Sequence, residues 1–169
     1  WTYDSKTETR YEGQKGRYYY TSKSHTRQEN GKSVTRTRKT RHVRWTSVNG
    51  VVRNTFDDVL VSGSESLPVK FAEALEPWDL ENLTAYNPEF LSGFRVESYS
   101  KNLTHGFDEA RSKIEQYIRK TIRDDIGGDE QKINSMDVTY HDITFKHILL
   151  PVWISAYKFK DKIYRFLVN

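Results

Sequence analysis

Cysteine is absent from the 169 residues, so the chain holds no disulfide framework, no thiol nucleophile and no thiolate zinc site. Stability must come from packing and hydrogen bonds, which is compatible with a reducing compartment. Long apolar runs are missing too. The longest, residues 148 to 154, is interrupted by Pro151, whereas a membrane-spanning helix needs roughly 20 residues. Hydrophobic residues make up only 36% of the chain, but 11 Tyr and 4 Trp supply apolar area that the aliphatic residues do not, which argues against wholesale disorder.

Catalytic signatures are equally scarce. There is no Gly-x-x-x-x-Gly-Lys-Ser/Thr, and Gly127-Gly128-Asp129-Glu130 would repel phosphate with its carboxylates, so a nucleotide-driven motor is excluded within this chain. Gly-x-Ser-x-Gly, Ser-x-x-Lys and His-Glu-x-x-His are also absent, which removes the commonest hydrolase signatures. A non-catalytic binding domain ranks first and an enzyme last. An enzyme would need a pocket that gathers His147 with Asp57 or Asp124.

Charge is what the chain has in abundance, and it is segregated. Residues 14 to 53 carry eleven Lys or Arg against the single acid Glu29, whereas residues 54 to 109 carry three against eleven acids, within a net charge of +4. Such asymmetry bears on partners and docking rather than on fold.

Residues 17 to 25 and 32 to 45 are rich in Tyr, Thr, Val and Arg and flank Asn30-Gly31, a pair suited to a tight hairpin turn. Asn49-Gly50 repeats that signal, so residues 1 to 62 read as a basic β-meander with a projecting hairpin. Residues 63 to 103 form an acidic region of short helices: one opened by Ser66-Leu67-Pro68 and ended by Pro77, a turn over 79 to 86, and another from Asn87-Pro88 to Gly93. Apolar positions from Phe107 to Ile126 recur every three to four residues. They predict an amphipathic helix over 104 to 126, capped by Thr104, stopped by Gly127-Gly128, with Glu109–Lys113 and Glu115–Arg119 as exposed pairs. Strands follow at 132 to 140, 143 to 150, 152 to 159 and 163 to 168, with Ile148-Leu149-Leu150 as a strand covered on both faces. The expected whole is one α+β domain whose long helix packs on a C-terminal antiparallel sheet. Because the chain starts at Trp1 and stops inside an apolar pattern, it reads as a piece of a longer protein.

Among candidate sites, His141 and His147 share a strand face but lie too far apart, at roughly 3.3 Å per residue, to hold one metal unless the chain bends. Asp57-Asp58 and Asp124-Asp125 resemble fragments of carboxylate sites, against a plain reading as a turn or bulge and a solvated helix end. The basic arm is the remaining candidate. On residues 34 to 45 neither alternating face is apolar enough for a core, so the hairpin projects. Arg36, Arg38, Lys39, Arg41 and Arg44 can follow a phosphate backbone while Trp45 and Tyr18 to Tyr20 stack on bases or sugars. Two other roles stay open: a solvated, aggregation-resistant edge, and a contact with acidic residues such as Glu73, Glu76, Asp79 and Glu81 of the same or another chain.

Several runs, taken together, resemble a family of largely uncharacterised bacterial proteins. They are Trp1-Thr2-Tyr3-Asp4, Phe56-Asp57-Asp58-Val59-Leu60-Val61, Leu75-Glu76-Pro77-Trp78, Ile122-Arg123-Asp124-Asp125-Ile126-Gly127-Gly128 and Thr144-Phe145-Lys146-His147-Ile148-Leu149-Leu150-Pro151-Val152-Trp153. The family is labelled as zinc-ribbon proteins or primosome components and related by name to the primosomal helicase. The resemblance implies a cytoplasmic, replication-related binding domain. It also implies zinc held in flanking paired-cysteine ribbons outside this segment and no cofactor within it, and for some members a membrane tether beyond it. The helicase label departs from this chain, which has no phosphate loop, and the family supplies no catalytic residues to carry over. The partners expected from the basic arm are nucleic acid or protein, including a second copy.

Overall fold

Two strands of unusual length dominate the structure, a computed structural model that describes residues 1–29, 32–66 and 68–168. β1 runs Thr2–Glu29 and β2 Lys32–Leu60, 28 and 29 residues against an ordinary strand of about five or six. Their β-branched and aromatic composition favours a pleated backbone. The two are antiparallel, because Glu8 meets Arg53, Ser24 meets Thr37 and Thr26 meets Thr35 as one position rises and the other falls. β3 (Glu130–Lys146) completes a three-stranded sheet in the order β2-β1-β3.

The meander expected over residues 1 to 62 is thus corrected to two long strands. Asn49-Gly50 makes no turn but lies inside β2. Glycine is needed there for space: a Cβ at Gly50 would fall 2.7 Å from the hydroxyl of Tyr11. The Asn30-Gly31 turn lies outside the described residues.

α1 (Val69–Ala74) is a short helix, and Pro88–Leu91 forms one 3-10 turn capped by the Asn87 side chain, which accepts from the Glu89 amide at 3.0 Å. Residues 79 to 86 hold no helix. α2 (Leu103–Ile126) is the long helix, and it exists because Ala110, Ile114, Ile118, Ile122 and Ile126 repeat every four residues and are all at most 2% exposed. Its start is held by Asn102, whose side chain accepts from the His105 amide at 2.8 Å, rather than by Thr104. Gly127 ends it at φ 61°, donating its amide to the Arg123 carbonyl at 3.0 Å.

The chain forms two compact units. The first comprises Trp1–Lys6, Thr55–Ile114 and His141–Asn169, the second Thr7–Asn54 and Glu115–Tyr140. In the first unit Tyr3, Val61 and Ala110 form a core flanked by Trp1, Val59, Leu103 and Phe107. The Tyr3 hydroxyl donates to the Leu103 carbonyl at 2.8 Å and the Trp1 indole N–H to the Lys101 carbonyl at 3.1 Å. In the second unit Tyr11, Val52, Ile118, Ile122 and Ile126 are buried. There Asn54 donates to the Thr121 hydroxyl at 3.1 Å and Tyr11 to Asp125 at 2.5 Å.

Within each unit, therefore, α2 packs on β1 and β2, which corrects the expected packing on a C-terminal sheet. That sheet does not form as expected. Residues 132 to 140 and 143 to 146 are one strand, β3, joined to β1; Ile148-Leu149-Leu150 lies in no strand; β4 (Trp153–Phe159) and β5 (Lys162–Val168) make a separate antiparallel hairpin. Strands account for 52% of the chain and helix for 21%, so the fold is mainly β rather than the α+β class expected. The difference lies largely in residues 63 to 103, where several short helices were expected and only α1 and one 3-10 turn form, and in the unbroken length of β1, β2 and β3. No helix among the described residues is long and apolar enough to cross a membrane.

Candidate functional site

The arm is built from β1 beyond Gly16 and β2 before Trp45, both in the second unit. Cross-strand contacts establish which side chains share a face. Tyr19 stacks on His42 at 5.1 Å between ring centres, and Thr21 Oγ1 lies 2.9 Å from His42 Nε2. Ser24–Thr37, Thr26–Thr35 and the Arg41 guanidinium, 4.4 Å from the Tyr18 ring centre, mark the opposite face. Because strand side chains alternate, the first face carries Arg17, Lys23 and Arg27 from β1 beside Arg36, Arg38 and Arg44 from β2. All six are exposed.

The structure thus divides the residues singled out from the sequence. Arg36, Arg38 and Arg44 fall on the cationic face, Arg44 with its guanidinium 5.5 Å from the Tyr19 ring centre. Lys39, Arg41 and Trp45 fall on the other. Trp45 is half-buried, with the Lys132 ammonium 3.9 Å from its ring centre, so that face of the ring is covered. Acids stand at the base of this second face: the Tyr18 hydroxyl donates to Glu130 at 2.9 Å and the Tyr18 amide to Asp129 at 2.7 Å. The bond to Glu130 pushes the Tyr18 phenol up from its ordinary value. Arg17, Lys23 and Arg27 were not among the candidates singled out from the sequence, which drew its cations from β2 and only aromatic rings from β1; pairing β1 to β2 by parity would have found them. Tyr20 is the more open ring, 62% exposed, whereas Tyr19, 43% exposed, has His42 and Arg44 against it.

In the first unit, carboxylate oxygens of Asp4, Asp57 and Asp58 lie within 4.8 Å of one another. Neighbouring strand residues ordinarily point to opposite sides, and the φ of 53° at Asp58 breaks that alternation. Asp4 accepts from the Asp58 amide at 2.8 Å and the Thr144 hydroxyl at 3.0 Å. Desolvation pushes the Asp4 carboxyl up, but these two bonds and the Lys146 ammonium outweigh it and hold it below the usual range. Such a set has the hard oxygen ligands a divalent cation takes, yet Lys146 already brings a positive charge within 2.8 Å of Asp58 and 3.8 Å of Asp4.

The first unit also has a cavity of about 240 Å³, half open to solvent, which His147 lines; neither Asp57 nor Asp124 does. His147 lies against Trp1 at 4.5 Å and Tyr99 at 5.2 Å between ring centres, while His141 lies exposed in β3.

Comparison with known proteins adds a relative without a described activity. No family model matches the chain, and no solved structure matches it. An uncharacterised protein of Bacillus subtilis (strain 168), YdjG, is 28% identical over 111 residues. The match takes in 64% of this chain and 32% of YdjG, so the chain spans about a third of the length of the curated relative it matches.

Proposed function

We propose that the chain is a non-catalytic domain that binds nucleic acid along the cationic face of the β1–β2 arm. The observation that carries this is the gathering of Arg17, Lys23, Arg27, Arg36, Arg38 and Arg44 on one exposed face of a two-stranded ribbon. Arg36 and Arg38 stand about 6.6 to 7 Å apart along β2, and the strand register sets Arg44 opposite Arg17 and Arg38 opposite Lys23, so the cations form clusters along the ribbon that can meet several phosphates. Tyr19, on the same face, offers a ring for a base or sugar. A replication-related role, as the family resemblance implies, requires this property first.

The test is anisotropy of a labelled single-stranded oligonucleotide at increasing salt. Binding should weaken steeply, with a log–log slope of about −0.7 per phosphate contacted. Arg36→Glu with Arg38→Glu should abolish most of the affinity, while Lys39→Glu with Arg41→Glu, on the opposite face, should change it far less. Absence of binding at low salt, or equal effects of the two pairs, removes the proposal.

An assembly module is a second function, favoured by the β4–β5 hairpin. Its register places Trp153, Tyr157, Phe159, Tyr164, Phe166 and Val168 on one face, each at least 43% exposed. Apolar faces of this kind mark contact sites. Sedimentation velocity should show self-association that Trp153→Ser with Phe166→Ser abolishes; a strict monomer across the concentration range eliminates self-association.

A further inference from the structure

We propose that the cavity of the first unit binds a small organic cation, an apolar body carrying an ammonium or guanidinium group. The cavity, of about 240 Å³, is far above the roughly 10–15 Å³ that a single water needs, enough for a compact guest. Its walls are of two kinds. Trp1, Trp78, Leu75, Leu149, Leu150 and Val152 make an apolar lining, while Glu73, Glu76, Glu97 and Glu109 supply negative charge against the one lysine of the wall, Lys113, with His147 beside them.

The ion pairs show which charges are left for a guest. Glu109 is taken by the buried Lys101 ammonium, 2.7 and 3.0 Å from its two oxygens. Glu73 lies 3.3 Å from the Lys113 ammonium, which also donates to the Leu60 carbonyl at 3.0 Å. Glu97 accepts from the Ser64 hydroxyl at 3.0 Å and from Ser66, and these neutral donors, Ser66 foremost and aided by Arg95, hold its carboxyl below the usual range. Glu76 pairs with no cation among the described residues. The balance of the lining is therefore negative beside an apolar wall, which selects a cation that can also shed water from a hydrocarbon body. Indole rings add to the selection, since a tryptophan face attracts a cation within about 6 Å of its centre. A neutral apolar guest would leave Glu76 without a counter-charge, and an anion would be repelled.

The guest can be a free amine or a lysine or arginine side chain on a peptide, and the arms of the experiment separate these. Calorimetric titration would compare phenethylammonium, its neutral counterpart 2-phenylethanol, and a blocked arginine tripeptide. Phenethylammonium should bind saturably and the alcohol about tenfold more weakly or worse. Glu76→Gln should weaken the ammonium by about three- to tenfold and leave the alcohol unchanged. Glu76 is exposed, so this variant keeps the fold, which a thermal melt checks; Glu97→Gln and Trp78→Leu provide independent repeats. Tighter binding of the tripeptide than of the amine identifies a side chain as the guest, and the reverse a free amine. Equal binding of amine and alcohol, no binding of any cation, or indifference to Glu76→Gln overturns the proposal. Arg36→Glu with Arg38→Glu should leave the cation affinity unchanged, so failure here is distinct from failure of nucleic-acid binding.

Discussion

Tyr11 shows how one side chain can join packing to ionisation. Only 5% exposed, it fills the space left by Gly50 and donates its phenol to Asp125 at 2.5 Å. Desolvation first, then the bond to Asp125 and its negative charge, push the Tyr11 phenol up to about 12 from an ordinary value near 10. A raised pKa means that the folded chain holds this proton after the unfolded chain has released it. The stabilisation is therefore complete below about pH 10 and is lost as pH rises toward about 12. Urea midpoints at pH 8, 10 and 11.5 should show a gap between the native chain and Tyr11→Phe that narrows with pH; a constant gap would remove this account. Nothing in the sequence announced the pairing, because Tyr11 and Asp125 stand 114 residues apart. Asn49-Gly50 even pointed the other way: a dipeptide that suits a turn serves here to admit an aromatic ring.

Elements differ in how openly the sequence declares them. α2 was legible almost to its ends, because isoleucine at every fourth position from Ile114 to Ile126 has no other economical use than a buried helical stripe. The β4–β5 hairpin was legible for a similar reason, two apolar runs about a short polar link. The opening stretch of β1 was not. Its covered positions are filled in part by Ser5, Thr7 and Thr9, whose side chains are small enough to lie under bulky residues but carry hydroxyls. Among the described residues Thr9 Oγ1 has no hydrogen-bond partner although Thr9 is 0% exposed. Burying a hydroxyl without a partner costs about 1–3 kcal/mol, and valine has nearly the same shape. Thr9→Val should therefore raise the urea midpoint, by about 1 kcal/mol or more of unfolding free energy. A fall would mean that the hydroxyl is paired after all. Of the candidate site, the cationic character of β2 was plain in the sequence, but its division between two faces needed the pairing with β1.

At the scale of the whole molecule, the net charge of +4 conceals the property that matters for polyanions. Screening limits exposed charges to a range of about 8 Å at physiological salt, so a nucleic acid responds to a local cluster of cations and hardly to the sum over the chain. Two variants can separate these quantities. Arg36→Glu with Arg38→Glu and Lys160→Glu with Lys162→Glu lower the net charge equally, but only the first alters the cationic face of the arm; Lys160 and Lys162 stand at the end of the β4–β5 hairpin. If polyanion affinity resides in the arm, elution from immobilised heparin should move to clearly lower salt for the first variant and shift little for the second. Equal shifts would show that overall charge governs retention, and the arm would then be a solvated edge whose arginine stems cover Tyr18 and Tyr19. The comparison needs no knowledge of the natural ligand, and it tests the one property that the sequence displayed most openly and that the structure resolved into a face.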